Sequence, residues 1–467
     1  MSIGQSRPLT AFPYAVPQSA LGGVIWPAVT PPPASRLLAL QLQLEQSQWW
    51  PPDLIEARQF AQLQQVLRHA ARTVPFYARR LGVLDPSAPL DRERWQQIPV
   101  LSRQQVQLNP DALLSRAVPS EHGAVSEVSS SGSTGRPFTI HATAYVSLMS
   151  QAFTLREHLW HRRDLAAKLG AIRHQDGGSA MPPEGARLPG WGSSTDLVYR
   201  SGPASALHIR ATIREQAEWL LREAPEYLLT YPTNARELIL FFRENGLRLS
   251  RPLELRTVSE ALPPDLRTLA RDIWGAKVVD MYSARETGYV ALQCPEHEHY
   301  HVQSENLLVE ILDDAGKPCS PGEVGRVVLT TLHNFATPLI RYDIGDYAEA
   351  GGACPCGRGL PVLTRILGRV RNMLTLPSGE RRWPNLNVAN IHRLAPILQH
   401  QVVQVGLEEL EVRLVVSRAL DSKEEGRIAG HLRDNLLYPF HVRFRYLGAI
   451  PRGPTGKFEE FLSEVTP

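Results

Sequence analysis

Short apolar runs alternate with amphipathic stretches through the middle of the chain, and this alternation is the clearest evidence for a fold class. The pattern predicts strands and helices in turn, at 227–230, 234–245, 255–258, 264–274 and 277–281. Strands that alternate with helices are typical of an α/β sheet. We therefore predict an α/β fold for the central part of the chain.

The pattern changes after residue 307. Three runs then alternate in polarity like antiparallel strands and predict a β-rich subdomain, at 307–312, 325–331 and 346–349. Further on, a helix between two strands predicts a compact α+β unit, at 410–416, 422–437 and 441–447. We expect three parts: an extended N-terminal arm with the first helix (1–50), a large domain (51–369) and a small C-terminal domain (370–467).

Composition narrows the classes of protein. A chain of 467 residues exceeds what one hydrophobic core usually serves, and its net charge of +3 is too small to argue for nucleic acid or an anionic membrane. No apolar run reaches the roughly 18 residues that span a bilayer, and the N-terminus lacks the apolar core of a signal peptide. Four cysteines are too few for a disulfide scaffold. We expect a cytoplasmic protein with no nucleic-acid or membrane partner.

A run rich in hydroxyl side chains and glycine follows a strand-like stretch at 124–128. It consists of Ser129, Ser130, Ser131, Gly132, Ser133, Thr134, Gly135, Arg136 and Pro137. Glycine lets backbone N–H groups approach a ligand closely, and hydroxyls add donors, so the run suits a polyphosphate. It lacks the Gly-Lys-Ser/Thr of a Walker loop, and the strand-like residues 138–140 favour a hairpin. A flexible Ser/Gly linker is the alternative interpretation.

Four further motifs carry groups suited to nucleotide chemistry. Tyr282 and Glu286 follow a predicted strand, at the edge where α/β sheets bind ligands, so the ring could pack on a base and the carboxylate could hold Mg²⁺. Asp346, after a glycine, could accept two ribose hydroxyls. The last two motifs, 368–372 and 451–458, contain Arg369, Arg371 and Lys457. Taken singly, each motif is also compatible with an ordinary exposed turn.

The order and spacing of these five motifs resemble the adenylate-forming superfamily of acyl-CoA synthetases and adenylation domains. Within it, the sequence is similar to the phenylacetate–CoA ligase family, including its capsular-polysaccharide and coenzyme F390 synthetase-like branches. The resemblance extends over nearly the whole chain from about residue 61, and includes the stretches 73–77 and 98–101. It implies an α/β fold with a large N-terminal domain, a β-rich subdomain and a small, mobile α+β C-terminal domain.

The resemblance also implies an activity and the residues that bind ATP. The activity is the ATP- and Mg²⁺-dependent activation of a small carboxylic acid as acyl-AMP, with release of pyrophosphate and transfer of the acyl group to an acceptor. The implied nucleotide-binding residues are the loop from Ser130 to Arg136 at the β- and γ-phosphates, Tyr282 with Ser259, Glu260 and Ala261 on the two faces of the adenine, Ser283 next to Tyr282, and Asp346 with Arg369 at the ribose.

Further residues are implied to take part in the reaction. Glu286 would bind Mg²⁺, Lys457 would reach from the small domain to the substrate carboxylate and the α-phosphate, and Arg371 would occupy the hinge. The family pattern Tyr-Gly-x-Thr/Ser-Glu is altered here, because Ser283 replaces the glycine and Arg285 the hydroxyl residue. Arg285 would add charge beside the α-phosphate or contact an anionic substrate.

The acceptor is less firmly implied. Residues 377–384 replace the glycine-containing loop that assists the second half-reaction in the family. CoA is the first candidate acceptor, an amine or a carrier-protein thiol is the alternative, and a homodimer is compatible with the resemblance. A different class of protein, a nucleotide- and zinc-binding scaffold without turnover, stays open because the magnesium motif is altered.

The acid is expected to contact a partly aromatic wall. The residues predicted there are Tyr231, Met281, Gly288 and Tyr289, and an aryl or arylacetic acid would fit them. Simple core packing is the alternative interpretation of these side chains.

A Cys/His cluster predicts a structural zinc site. Cys294 and His301 precede a Cys-x-Cys pair, Cys354 and Cys356, and His299 is the alternative to His301. Cysteine and histidine are the ligands of closed, tetrahedral structural zinc sites. Surface histidines with unlinked thiols are the alternative.

Overall fold

The computed structural model describes residues 16–81, 88–129, 138–175, 178–250, 254–386, 388–453 and 456–465. The predicted phosphate-binding residues Ser130, Ser131, Gly132, Ser133, Thr134, Gly135 and Arg136 lie outside these ranges. The N-terminal part is helical, with α1 (Pro32–Ser47), α2 (Pro52–Thr73), α3 (Pro75–Arg80), α4 (Arg92–Gln96) and α5 (Arg103–Leu108). Within the described ranges, every helix is too short or too polar to cross a bilayer.

A hairpin flanks the predicted phosphate loop. Strands β1 (Val125–Ser129) and β2 (Thr139–Thr143) pair antiparallel, with Val125 opposite Thr143 and Ser129 opposite Thr139. The segment between them therefore connects the two strands of a hairpin, as the sequence predicted. The long helix α6 (Ala144–Trp160) follows directly.

One large sheet, twelve-stranded in the described residues, forms the centre of the molecule. It contains β3 (Leu169–Arg173), β4 (Ala186–Leu188), β5 (Ala204–His208), β6 (Tyr227–Thr230), β7 (Glu254–Val258), β8 (Lys277–Ala284), β9 (Gly288–Gln293), β10 (Tyr300–Val302), β11 (Leu307–Leu312), β12 (Val324–Thr331), β13 (Tyr342–Ala350) and β14 (Val362–Arg369). Its strand order is β11-β12-β13-β14-β10-β9-β8-β7-β6-β3-β5-β4. The helices between its strands are α7 (Ser193–Asp196), α8 (Ile213–Glu223), α9 (Pro232–Glu244) and α10 (Leu266–Leu269), which continues as a π-helical turn to Trp274.

Strand β8 joins two kinds of sheet. It pairs parallel with β7 and antiparallel with β9. The strands β3, β5, β6, β7 and β8 are mutually parallel, whereas the strands from β9 to β14 pair antiparallel. The α/β and β-rich parts that the sequence predicted are both present, and they share one continuous sheet, which the sequence did not indicate.

The last part of the chain forms a separate sheet with its own core. Its elements are β15 (Leu374–Thr375), β16 (Arg381–Arg382), α11 (Val388–Leu394), β17 (Ile397–Gly406), β18 (Glu409–Val416), α12 (Ser422–Leu436), β19 (His441–Tyr446) and β20 (Phe461–Ser463), and the four-stranded sheet has the order β19-β18-β17-β20. Buried apolar side chains of β18 and α12, such as Leu410 and Ile428, pack in this core. We call the part of the chain from Leu374 onward the C-terminal lobe.

A buried cluster of ion pairs links helix α6 to the large sheet. Glu157 on α6 forms ion pairs with Arg163 and, from β7, Arg256, at 2.7 and 2.5 Å, and all three side chains are almost fully buried. Burial alone would raise the pKa of Glu157, but the two arginines outweigh it and lower that pKa. The carboxylate is therefore charged, and each arginine has a partner inside the protein.

Glu157→Gln should destabilise the protein strongly, because two buried guanidinium groups would lose their shared anion. We expect the free energy of unfolding to fall by about 3–5 kcal/mol. Chemical denaturation followed by circular dichroism measures this loss. Glu127→Gln on the exposed hairpin is the matched control and should change stability by less than about 0.5 kcal/mol; equal effects of the two variants would contradict the role of the cluster.

Candidate active site

A cavity of about 2170 Å³ lies where the large sheet meets the C-terminal lobe. The carboxyl ends of β6, β7 and β8 open into it, which is where α/β sheets bind ligands. Tyr231, Ser259 and Tyr282 line it from the large sheet, and Lys457 lines it from the C-terminal lobe. Groups that lie far apart in the sequence therefore face one space.

A tyrosine, a carboxylate and an arginine form the first cluster in this cavity. The hydroxyl of Tyr282 donates to Asp346 Oδ2 at 2.7 Å, and Arg369 Nε lies 3.2 Å from Asp346 Oδ1. Asp346 and Arg369 are paired residues on neighbouring strands, β13 and β14. Burial raises the pKa of Asp346, and Arg369 opposes that rise. The structure thus brings together the residues that the sequence assigned to adenine and ribose.

The carboxylate of Glu286 forms a second cluster. Its Oε1 lies 3.3 Å from Arg103 Nη1 and 3.4 Å from the hydroxyl of Tyr342. The Arg103 guanidinium also stacks over the ring of Phe138, 4.8 Å from its centroid. Arg103 therefore contacts both Glu286 and Phe138, which is the first described residue after the predicted phosphate loop in the sequence.

Arg103 is a site residue that the sequence analysis missed. It is the first residue of α5, whose N-terminus is closed by a capping box between Ser102 and Gln105. The only available signal was its place two residues after the stretch 98–101, because nothing in the sequence spacing links residue 103 to residue 286.

Two cations complete the cavity. The side chains of Arg285 and Lys457 form no hydrogen bond or ion pair with the described part of the chain. Burial lowers the pKa of Lys457, Arg369 lowers it further, and Asp346 and Glu260 act in the opposite direction. These two side chains therefore leave positive charge available for an anionic ligand.

The structure also locates the three residues that were predicted on the second face of the adenine. Ser259, Glu260 and Ala261 all line the cavity. The Glu260 carboxylate, however, is bonded to Thr233 and to the backbone N–H of Phe458 rather than open to a base. The sequence could not indicate this orientation, because both partners are distant in the chain.

The predicted acid wall is only partly on the cavity. Tyr231 and Met281 line it, whereas Gly288 and Tyr289 do not. Tyr289 is instead packed with Met281 and Trp160, and its hydroxyl lies 3.0 Å from Thr154 Oγ1. The core-packing interpretation therefore applies to Tyr289.

The predicted hinge residue lies between the two sheets. Arg371 belongs to a short 3-10 helix, Val370–Asn372, between β14 and β15. Its Nη2 lies 2.5 Å from Glu459 Oε1, close to Lys457 in the sequence. The side chain therefore links the connection between the sheets to the segment that carries the lysine.

All five predicted metal ligands lie together. His299 Nε2 is 2.9 Å from Cys354 Sγ, Cys294 Sγ is 3.9 Å from Cys354 Sγ, and Cys356 Sγ is 3.4 Å from His301 Nε2. The ligand atoms of Cys294, His299, His301 and Cys354 all lie within 4.8 Å of one another. Both histidines are in reach, so the choice between them stays open. Thiols and imidazoles in this arrangement are a donor set that suits Zn²⁺.

Comparison with solved structures defines the class of fold. The chain matches 2-hydroxyisobutyryl-CoA ligase in the postadenylation state with a TM-score of 0.69 and 19% identity, over 90% of this chain and 92% of that one. The same ligase in the thioesterification state, with 2-HIB-AMP and CoA, gives a TM-score of 0.56. The fold is that of adenylate-forming enzymes, as the sequence predicted.

Comparison with curated proteins points to particular relatives. The chain is 25% identical to phenylacetate-coenzyme A ligase of Thermus thermophilus over 454 residues, which cover 88% of this chain and 97% of that protein. It is 22% identical to protein CapK of Staphylococcus aureus over 377 residues, or 77% and 78% of the two chains. No protein-family model matches the chain. The relatives confirm the predicted resemblance to AMP-forming ligases of the phenylacetate–CoA ligase type.

Proposed function

We propose that the protein activates a carboxylic acid with ATP and passes the acyl group to an acceptor. The observation that carries the proposal is the meeting of Lys457 with Tyr282, Asp346 and Glu286 in one cavity. An aromatic ring and a fixed carboxylate suit a nucleoside, and unpaired cations suit its phosphates. The named activity of the Thermus relative supports the same reaction.

The first half-reaction is proposed to form acyl-AMP. An oxygen of the substrate carboxylate attacks the α-phosphorus of ATP, the bond from that phosphorus to the bridging oxygen breaks, and pyrophosphate leaves. Negative charge increases at the α-phosphate during this step, and Lys457 and Arg285 would stabilise it. The loop from Ser130 to Arg136 would hold the β- and γ-phosphates.

Glu286 fits a magnesium site by its chemistry. It is a buried carboxylate in the cavity, and carboxylate oxygens with phosphate oxygens are the usual ligands of Mg²⁺. When bound, Mg²⁺ would neutralise phosphate charge. Arg103 and Tyr342 hold the carboxylate in place.

The second half-reaction is proposed to use the C-terminal lobe as the small mobile domain predicted at 370–467. The lobe would turn about the connection at Arg371, so that an acceptor thiol attacks the acyl carbon, the bond to AMP breaks and the thiol proton is released. CoA is the first candidate acceptor because the Thermus relative is named for it. An amine or a carrier-protein thiol is the alternative.

A panel of carboxylic acids, assayed by pyrophosphate release, tests the proposal. Aryl and arylacetic acids belong in the panel because Tyr231 and Met281 line the cavity, and dicarboxylic acids belong there because of Arg285. Each active acid is then tested with CoA and with amines. Binding of ATP without pyrophosphate release for any acid would instead support the non-catalytic scaffold.

Lys457→Ala should nearly abolish the first half-reaction, because the group that stabilises charge at the α-phosphate is lost. We expect the rate of pyrophosphate release to fall by about 10²–10³-fold. The matched control is Lys423→Ala on the exposed start of α12, which should keep full activity. Full adenylation in Lys457→Ala would rule out the assigned role.

The pH dependence should report the same lysine. Lys457 must be protonated to stabilise negative charge, so activity falls as the pH rises through its pKa. Burial lowers that pKa, so the fall in kcat/KM should begin below the pH expected for an exposed lysine with a pKa of about 10.4. In Lys457→Arg, the alkaline fall in kcat/KM of any residual activity should shift to higher pH, because arginine stays protonated. If the fall occurs at the same pH as in the wild type, Lys457 is not the titrating group.

We also propose that the Cys/His cluster binds structural zinc. Purified protein should contain about one zinc ion per chain when measured by inductively coupled plasma mass spectrometry. The variant Cys354→Ser should lose the zinc and unfold at a lower temperature. Cys319→Ser is the control, because Cys319 lies outside the cluster. His299→Ala and His301→Ala, compared for zinc content, identify the histidine ligand. Less than about half an equivalent in untreated protein would count against the site.

A further inference from the structure

The segment that carries Lys457 is docked against the large sheet by specific contacts. Gly456 has a φ of +80°, and a Cβ at this position would lie 2.6 Å from Ile209 Cγ2 and 3.2 Å from Tyr231 Cε2. Only glycine permits this approach of the backbone. The position of Lys457 therefore depends on contacts with the large-sheet part of the protein as well as on contacts within the C-terminal lobe.

Glu260 forms a hydrogen bond with the residue that follows Lys457. Its Oε1 accepts a hydrogen bond from the backbone N–H of Phe458, the next residue after Lys457, at 2.7 Å. Its Oε2 accepts from both Thr233 Oγ1, at 2.7 Å, and the Thr233 N–H, at 3.1 Å. One carboxylate, whose side chain is almost completely buried, thus connects the N-terminus of α9 to the lysine segment.

The backbone before Glu260 is shaped for this contact. Ser259 has a φ of +77°, in the left-handed region that residues other than glycine rarely adopt. Such conformations persist where the surrounding structure requires them, and they concentrate at functional sites. Here the left-handed turn directly after β7 precedes the carboxylate that bonds to Phe458.

A second contact between the lobes, the ion pair of Arg452 with Glu237, adjoins the first, because Arg452 Nη1 also lies 3.8 Å from Glu260 Oε1. Arg452 Nη2 is 2.9 Å from Glu237 Oε1, and Arg452 Nη1 donates to Thr233 Oγ1 at 3.0 Å and to the carbonyl of Gly456 at 3.4 Å. Glu237 is thus an acidic residue at the same interface that has no contact with the residue after Lys457. It provides a control for Glu260.

We infer that Glu260 is a positioning residue that holds Lys457 at the α-phosphate for adenylation and has no part in the second half-reaction. The inference rests on the proposed function. Glu260 belongs to the large sheet and Phe458 to the C-terminal lobe, so rotation of the lobe must break their hydrogen bond. The contact therefore acts only in the arrangement in which Lys457 faces the cavity.

The first arm of the experiment requires no turnover. Amide hydrogen exchange of peptides that span 456–460 is measured in the wild type, in Glu260→Gln and in Glu237→Gln. We expect Glu260→Gln to exchange at least tenfold faster in this segment, because a neutral side chain holds the Phe458 N–H less strongly, and Glu237→Gln to stay within about threefold of the wild type. Unchanged exchange in Glu260→Gln would overturn the inference even if the protein had no ligase activity.

The second arm separates the two half-reactions. With an acid that the wild type activates, Glu260→Gln should lower kcat for pyrophosphate release by about 10–100-fold, while its reaction of preformed acyl-adenylate with the acceptor stays within about twofold. Glu237→Gln should lower neither rate more than about threefold. Equal losses in both half-reactions, or equal losses in the two variants, would show a general structural role and overturn the inference.

Glu260→Asp is the second variant, for the case in which Glu260→Gln does not fold. It keeps the charge but shortens the side chain by one methylene, so the same split between the half-reactions is expected. If the wild type releases no pyrophosphate with any acid, the proposed function is contradicted. If the wild type releases pyrophosphate and Glu260→Asp is equally active, only the positioning role is contradicted.

Discussion

The hydrogen bond between Tyr282 and Asp346 is the constraint on which the site depends. These residues lie on β8 and β13, which are four places apart in the main sheet. In a flat sheet, four steps of about 4.8 Å would separate the two strands by about 19 Å. A contact of 2.7 Å therefore requires the antiparallel half of the sheet to curl back towards β8. This bend brings Asp346 into the same cavity as the carboxyl ends of the parallel strands.

Several buried carboxylates in the cavity are paired with arginines. Each of three buried carboxylates in the cavity lies beside an arginine: Asp346 beside Arg369, Glu286 beside Arg103 and Glu260 beside Arg452. Arg285 and Lys457 line the same cavity and add positive charge beside these pairs. A site of this kind attracts an anion through its surplus cations and positions it through its paired groups.

The sequence predicted local features better than distant ones. The strand at 227–230 and the helix at 422–437 were correct to within one residue, because polarity patterns are local. The continuity of the sheet through β8 and the roles of Arg103 and the Glu260 side chain were missed, because each depends on residues far away in the chain. The buried cluster around Glu157 was missed for the same reason, since charged residues at helical spacing usually face solvent. The roles of the predicted site residues stay predictions.

The separations along the chain also imply an order of assembly. Tyr282 and Asp346 are 64 residues apart, Cys294 and Cys354 are 60 apart, and both pairs are complete before residue 369. Glu260 and Phe458 are 198 residues apart, and Phe458 follows a sheet with a core of its own. Domains generally fold as units, beginning with the N-terminal ones during synthesis. A growing chain can therefore finish the pocket for the nucleotide well before it supplies the lysine, so the ability to hold a ligand precedes the ability to transform it.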